Sequence, residues 1–142
     1  MIKEITIIGG AGHVGFALAL ICASKNIKVH INDLNEDSIN LIKKGILPHK
    51  EANAKKNLNI ALKKKLFTFS SDLKNIKLNK YNIVCLGTPI DEFLNPQHKI
   101  IIKLFKNLKP YLKNNHHIII RSTVYPGTTN FIHEYLNNTN KR

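Results

Sequence analysis

The stretch that decides the fold is Ile5-Thr6-Ile7-Ile8-Gly9-Gly10-Ala11-Gly12-His13-Val14-Gly15, which runs without a break into Phe16-Ala17-Leu18-Ala19-Leu20-Ile21-Cys22-Ala23-Ser24. The β-branched run predicts a buried strand, and the Ala- and Leu-rich run after it predicts a helix. Between them lies G-x-G-x-x-G, with glycines at 10, 12 and 15. Strand, glycine loop and helix in that order are what a fold needs to cradle a dinucleotide diphosphate. Gly10 is expected to allow the tight turn off the strand. Gly12 lets a pyrophosphate come up to the backbone, and Gly15 lets the helix pack close to the strand. His13 and Val14 open the helix, whose unpaired N–H groups and positive dipole end face the phosphates.

A glycine turn alone also occurs without any ligand, so the residues that follow decide its meaning. A second strand pattern, Ile27-Lys28-Val29-His30-Ile31, ends at Asn32-Asp33. Asp33 lies 18 residues after Gly15, close to the ~20 expected for the acid that bonds the adenosine ribose. A carboxylate there accepts both ribose hydroxyls and repels a 2′-phosphate, which favours NAD over NADP. An acid in that place also suits a cap or turn before the next helix.

Strands are expected near 4–9, 27–32, 66–69, 81–87 and 117–122, and helices near 13–25, 36–45, 52–64, 98–109 and 129–137, with a loop over 70–80. Continuous apolar strands with helical crossovers predict an α/β fold, Rossmann-type and doubly wound. A mainly parallel sheet carries helices on both faces and stops after about the fifth strand, as one domain over residues 1–142. Each functional signal falls at the carboxyl end of a strand, where this fold binds ligands. Gly10 to Gly15 follow the first strand and Asp33 the second, Gly87-Thr88-Pro89 the fourth and Ser122-Thr123 the fifth.

Composition narrows the alternatives. The net charge of +13 comes from 22 Lys+Arg against 9 Asp+Glu, which raises a nucleic-acid partner. The cations are spread out, only Arg121 and Arg142 are arginines, and no aromatic residues interleave with them. A solvated surface is therefore expected, with no nucleic acid bound. Cys22 and Cys85 sit among apolar neighbours and read as reduced core thiols of a cytoplasmic protein. Neither has the polar surroundings that activate a nucleophile. The seven histidines show no metal-ligand spacing. No signal peptide or membrane-spanning run is apparent, so no membrane partner is expected.

The segments Gly9-Gly10-Ala11-Gly12-His13-Val14-Gly15, then Leu86-Gly87-Thr88-Pro89-Ile90-Asp91-Glu92 with Asn95-Pro96, then Arg121-Ser122-Thr123-Val124-Tyr125-Pro126-Gly127-Thr128-Thr129 together resemble the N-terminal domain of the UDP-glucose/GDP-mannose dehydrogenase family. Members acting on UDP-N-acetylhexosamines, such as the UDP-N-acetylmannosamine dehydrogenases, look most similar. The resemblance implies oxidation of a UDP-sugar C6 alcohol to the uronic acid with two NAD. It implies that Gly87, Thr88, Pro89, Ser122 and Thr123 line the cofactor, and that Thr123 positions a water or oxyanion at the reacting centre. Hydroxyls at Thr88 and Thr123 suit such bonds, while Ser122-Thr123 also suits helix capping and Thr88 a turn bond.

Two departures stand out. Where the family has a Pro-Phe-x-Glu-like segment, this chain reads Pro48-His49-Lys50-Glu51, so Glu51 is carried only as a candidate. The family's nucleophilic cysteine, with its assisting lysine and glutamate, lies downstream of the matched segments, as do the nucleotide-sugar domain and the helix that forms the homodimer. A truncated chain that binds NAD weakly, or only when complemented, and does not turn over alone is therefore expected. The alternative is a non-catalytic NAD-binding module complemented by a separate catalytic chain.

Overall fold

A computed structural model of the chain describes residues 2–49, 54–87 and 98–138. Strand β1 (Glu4–Ile8) feeds helix α1 (His13–Ser24), which returns to β2 (Lys28–Asn32). Two helices, α2 (Glu36–Lys43) and α3 (Ala54–Lys63), lead to β3 (Phe67–Ser70). After a loop come β4 (Tyr81–Val84), α4 (His98–Leu108), a 3-10 turn over Lys109–Tyr111, β5 (His117–Ile120) and α5 (Thr128–Asn137).

The five strands form one sheet in the order β3-β2-β1-β4-β5. Every pairing is parallel, with Ile7 opposite Ile31 on one side and opposite Ile83 on the other. The chain runs outward from β1 to β3, then crosses back to place β4 on the far side of β1. The switch point therefore lies between β1 and β4, the crevice where such sheets bind ligands.

Both faces of the sheet are covered, which explains the unbroken apolar strands. One core packs Phe16, Ala19 and Leu20 of α1, Ile39 and Ile42 of α2 and Leu58 of α3 against Ile5, Ile7, Val29 and Ile31. The other packs Ile101, Phe105 and Leu108 of α4 and Ile132 of α5 against Ile8 and Val84. Buried polar residues serve the loop over 70–80. Thr6 Oγ1 donates to the Lys77 carbonyl at 2.6 Å, and Asn82 Nδ2 donates to the Asn79 carbonyl at 2.7 Å.

The observed elements match the expected ones within a few residues. β4 and β5 end at Val84 and Ile120, short of the expected 87 and 122, because the chain there turns into the loops of the site. β3 runs on to Ser70, the first residue of the region expected to be a loop, and 71–80 contains no strand or helix.

Candidate active site at the carboxyl edge of the sheet

The glycine loop is packed tightly on every side but one. Gly9 has φ +78°, and a Cβ there would lie 2.6 Å from the carbonyl oxygen of Cys85, the residue after β4. The left-handed φ at the end of β1 thus falls on Gly9, within a turn that also takes in Gly10, and the three-glycine motif does not by itself specify it. The signal was present as a glycine preceding the motif. Gly10 is required for space instead: its Cβ would stand 2.9 Å from the Ile7 carbonyl oxygen and 3.0 Å from Ile31 Cγ2. Gly15 answers to the role expected of it, since a Cβ would lie 2.2 Å from the Gly9 carbonyl oxygen. Gly12 differs from all three. Its Cβ would meet only Gly9 O, at 3.4 Å, so packing within the chain does not demand a glycine. The room is on the outer side of the loop, where a ligand would approach.

Gly12 is the N-cap of α1 and supplies no side-chain cap, and the first turn carries no acid. The helical ladder begins with Phe16 N–H donating to the Gly12 carbonyl at 2.8 Å. The preceding N–H groups, with the positive end of the helix dipole, point out at this edge. His13 and Val14 are both exposed in this first turn.

The end of β2 holds the loop in shape. The Asn32 carbonyl accepts from Gly9 N–H at 2.8 Å and from Gly10 N–H at 3.2 Å. Asp33 Oδ2 accepts from Ala11 N–H at 2.9 Å, and Oδ1 accepts from Asn35 N–H at 3.0 Å. Asn35, not Asp33, caps α2, through Ser38 N–H at 3.0 Å. The Asp33 carboxylate therefore joins the loop to β2 and still has acceptor capacity to spare on both oxygens. Beside it opens a cavity of about 410 Å³, walled by Ile8, Leu34, Leu73, Leu86 and Leu104, with Lys103 and Asn107 from α4. Leu34 is 83% exposed at its rim.

On the other side of the crevice, Gly87 has space around its Cα and an ordinary φ. Neither packing nor strain among the described residues calls for glycine there. Ser122 Oγ donates to the Leu86 carbonyl at 2.9 Å, which ties the loop after β4 to the loop after β5. Thr123 is exposed at the same edge. Pro126 and Gly127 (φ +86°) form a turn closed by Thr128 N–H on the Tyr125 carbonyl at 3.1 Å. That is the pattern of a type II turn launching α5. Thr88, Pro89 and Glu51 lie outside the described residues. Burial pushes the thiols of Cys22 and Cys85 up, with Arg121 partly offsetting this at Cys85. Both therefore stay in the unreactive thiol form at neutral pH.

A parallel sheet with a switch point between β1 and β4, a tight glycine loop at that point and a carboxylate at the end of β2 define a dinucleotide-binding domain of the doubly wound class. The chain belongs to the UDP-glucose/GDP-mannose dehydrogenase family, matching its NAD binding domain over residues 3–142. NAD is the cofactor of that domain. The chain is 32% identical to the UDP-N-acetyl-D-glucosamine 6-dehydrogenase of Pseudomonas aeruginosa, covering 84% of this chain and 27% of that protein. It is also 32% identical to the UDP-N-acetyl-D-mannosamine dehydrogenase of Methanocaldococcus jannaschii, over 98% of this chain and 32% of the relative. The fold superimposes on the UDP-N-acetyl-mannosamine dehydrogenase Cap5O of Staphylococcus aureus with a TM-score of 0.86 at 20% identity, covering 99% of this chain and 34% of that one. The chain thus spans about a third of the length of the relatives it matches. Among the described residues no helix is long and apolar enough to cross a membrane.

Proposed function

We propose that this chain binds NAD across the β1–β4 crevice and forms the cofactor-binding part of a UDP-sugar 6-dehydrogenase. The observation that carries this is the glycine loop, closed to side chains at Gly9, Gly10 and Gly15 and open only at Gly12, ahead of an uncapped helix end. A diphosphate fits there because the loop's backbone can approach it and the helix dipole favours it. Asp33 takes the adenosine ribose hydroxyls on its spare acceptor capacity. The apolar cavity beside it takes the adenine, with Leu34 closing over the ring and Lys103 and Asn107 facing its polar edge. The nicotinamide end lies toward Gly87 and Ser122-Thr123, and we assign Thr88 and Pro89 to the same end only from the resemblance of their motif.

NAD, when bound, accepts hydride from the substrate. The residues of this chain bind and orient it, and Thr123, exposed at the end of β5, positions the reacting oxygen or a water. The UDP-sugar substrate follows from the relatives, three of which are named for UDP-N-acetyl-D-glucosamine, UDP-N-acetyl-D-mannosamine and UDP-glucose. Cys22 and Cys85, both within or against the core, do not suit the family's nucleophile. The covalent steps therefore belong to an assembled enzyme, and this chain alone binds NAD without turnover. Titration calorimetry tests the proposal: NAD binds, NADP binds more weakly, and Asp33→Ala weakens NAD. Equal affinity for NAD and NADP, unchanged by Asp33→Ala, would remove Asp33 from the site.

A further inference from the structure

The segment after α2 reaches the glycine loop from outside the sheet. It is held by a helix-ending motif in which Gly45 N–H donates to the Ile42 carbonyl at 2.9 Å and Ile46 N–H to the Leu41 carbonyl at 2.9 Å, with Gly45 at φ +73°. Lys55 Nζ donates to the Gly45 carbonyl, and Leu47 packs against the core. The segment so tethered delivers His49. Its Nε2 lies 3.1 Å from the Ala11 carbonyl oxygen, and its ring meets that of His13 edge-on with centroids 5.4 Å apart.

A carbonyl can only accept, so Nε2 must carry the proton and donate. Ala11 is thereby held at both ends, its N–H by Asp33 and its C=O by His49. An anion-binding loop has to present N–H groups and turn its carbonyls away, because a carbonyl dipole aimed at a phosphate repels it. Resting on the NAD site proposed above, we infer that His49 is a positioning residue for the dinucleotide diphosphate. Its Nε2–H holds the Ala11 carbonyl back from the phosphates and fixes the Ala11–Gly12 peptide for them. His13 holds the imidazole by its edge contact.

The test compares NAD, ADP-ribose and adenosine by NMR titration on the full chain and on His49→Phe and His49→Gln. Phe keeps the ring contact and loses the donor. NAD and ADP-ribose are expected to weaken roughly three- to ten-fold, the worth of one neutral hydrogen bond. Adenosine, which has no phosphate, should bind as before, and His49→Gln should restore the affinity through its amide N–H. Equal weakening for adenosine, or no weakening of ADP-ribose, overturns the role of His49 while leaving the NAD site standing. Failure of the unsubstituted chain to bind NAD or ADP-ribose removes both. Imidazole nitrogen shifts of the unsubstituted protein test the inference even if His49→Phe does not fold. A proton on Nε2 is expected, and a bare Nε2 overturns it.

Discussion

Asp33 carries four bonds in the proposed complex, to Ala11 N–H, Asn35 N–H and the two ribose hydroxyls. Asp33→Ala is expected to cost about 1.5–3 kcal/mol of NAD affinity, the range for hydrogen bonds to a charged group, read by calorimetry. The glycines separate folding from binding. Ala is the better helix former by about 1 kcal/mol, so Gly15→Ala on propensity alone would stabilise α1. The new Cβ, 2.2 Å from the Gly9 carbonyl oxygen, meets backbone that cannot swing aside. Overpacking costs of about 1–3 kcal/mol or more win, and the variant should melt at a lower temperature. Gly12→Ala meets only an ordinary contact. It should change stability by less than about 1 kcal/mol and yet weaken NAD, whereas unaltered NAD binding would mean the diphosphate does not touch this residue.

At the scale of elements, the order of strands and helices was legible because periodicity and the glycine, proline and acid signals agreed along the chain. Asp33 and the glycine loop were legible from spacing alone. That Gly9, and not Gly10, takes the left-handed φ was not legible, because spacing locates a motif but not the φ of each of two adjacent glycines. The clasp by His49 was not legible, since it depends on where the segment after α2 lands. Nor was the tie from Ser122 to the Leu86 carbonyl, which spans residues far apart in sequence. Ser122→Ala should therefore cost about 1 kcal/mol of stability, in addition to any effect on NAD.

The β2–β3 pairing hides a further dependence on pH. His30 is buried, with Nδ1 2.8 Å from Thr68 Oγ1 and Nε2 2.9 Å from Ser70 Oγ. Burial, helped by the Lys77 charge, pushes its pKa down from 6.5 to about 4. The folded state disfavours the imidazolium, so stability is fully present above pH 6.5 and is lost as the pH falls from there to about 4. The whole step is worth roughly 3 kcal/mol. Urea unfolding at pH 7 and at pH 4.5 should show the loss, and His30→Gln should flatten it.

For the whole molecule, β1 is paired on both sides whereas, among the described residues, β5 is paired only with β4, and Ile119 of β5 is 47% exposed. Amide exchange should accordingly be slowest in β1 and markedly faster in β5. The charge of +13 acts at long range on an anionic dinucleotide, so association should slow as salt rises. Stopped-flow binding at two ionic strengths reads this directly.

Asn32 and Asp33 between them hold three successive amides of the glycine loop, those of Gly9, Gly10 and Ala11. The adenosine end and the phosphate end of the proposed site are therefore a single preset clasp. A dinucleotide arriving by either end finds the other already shaped, and little ordering entropy is left for the ligand to supply.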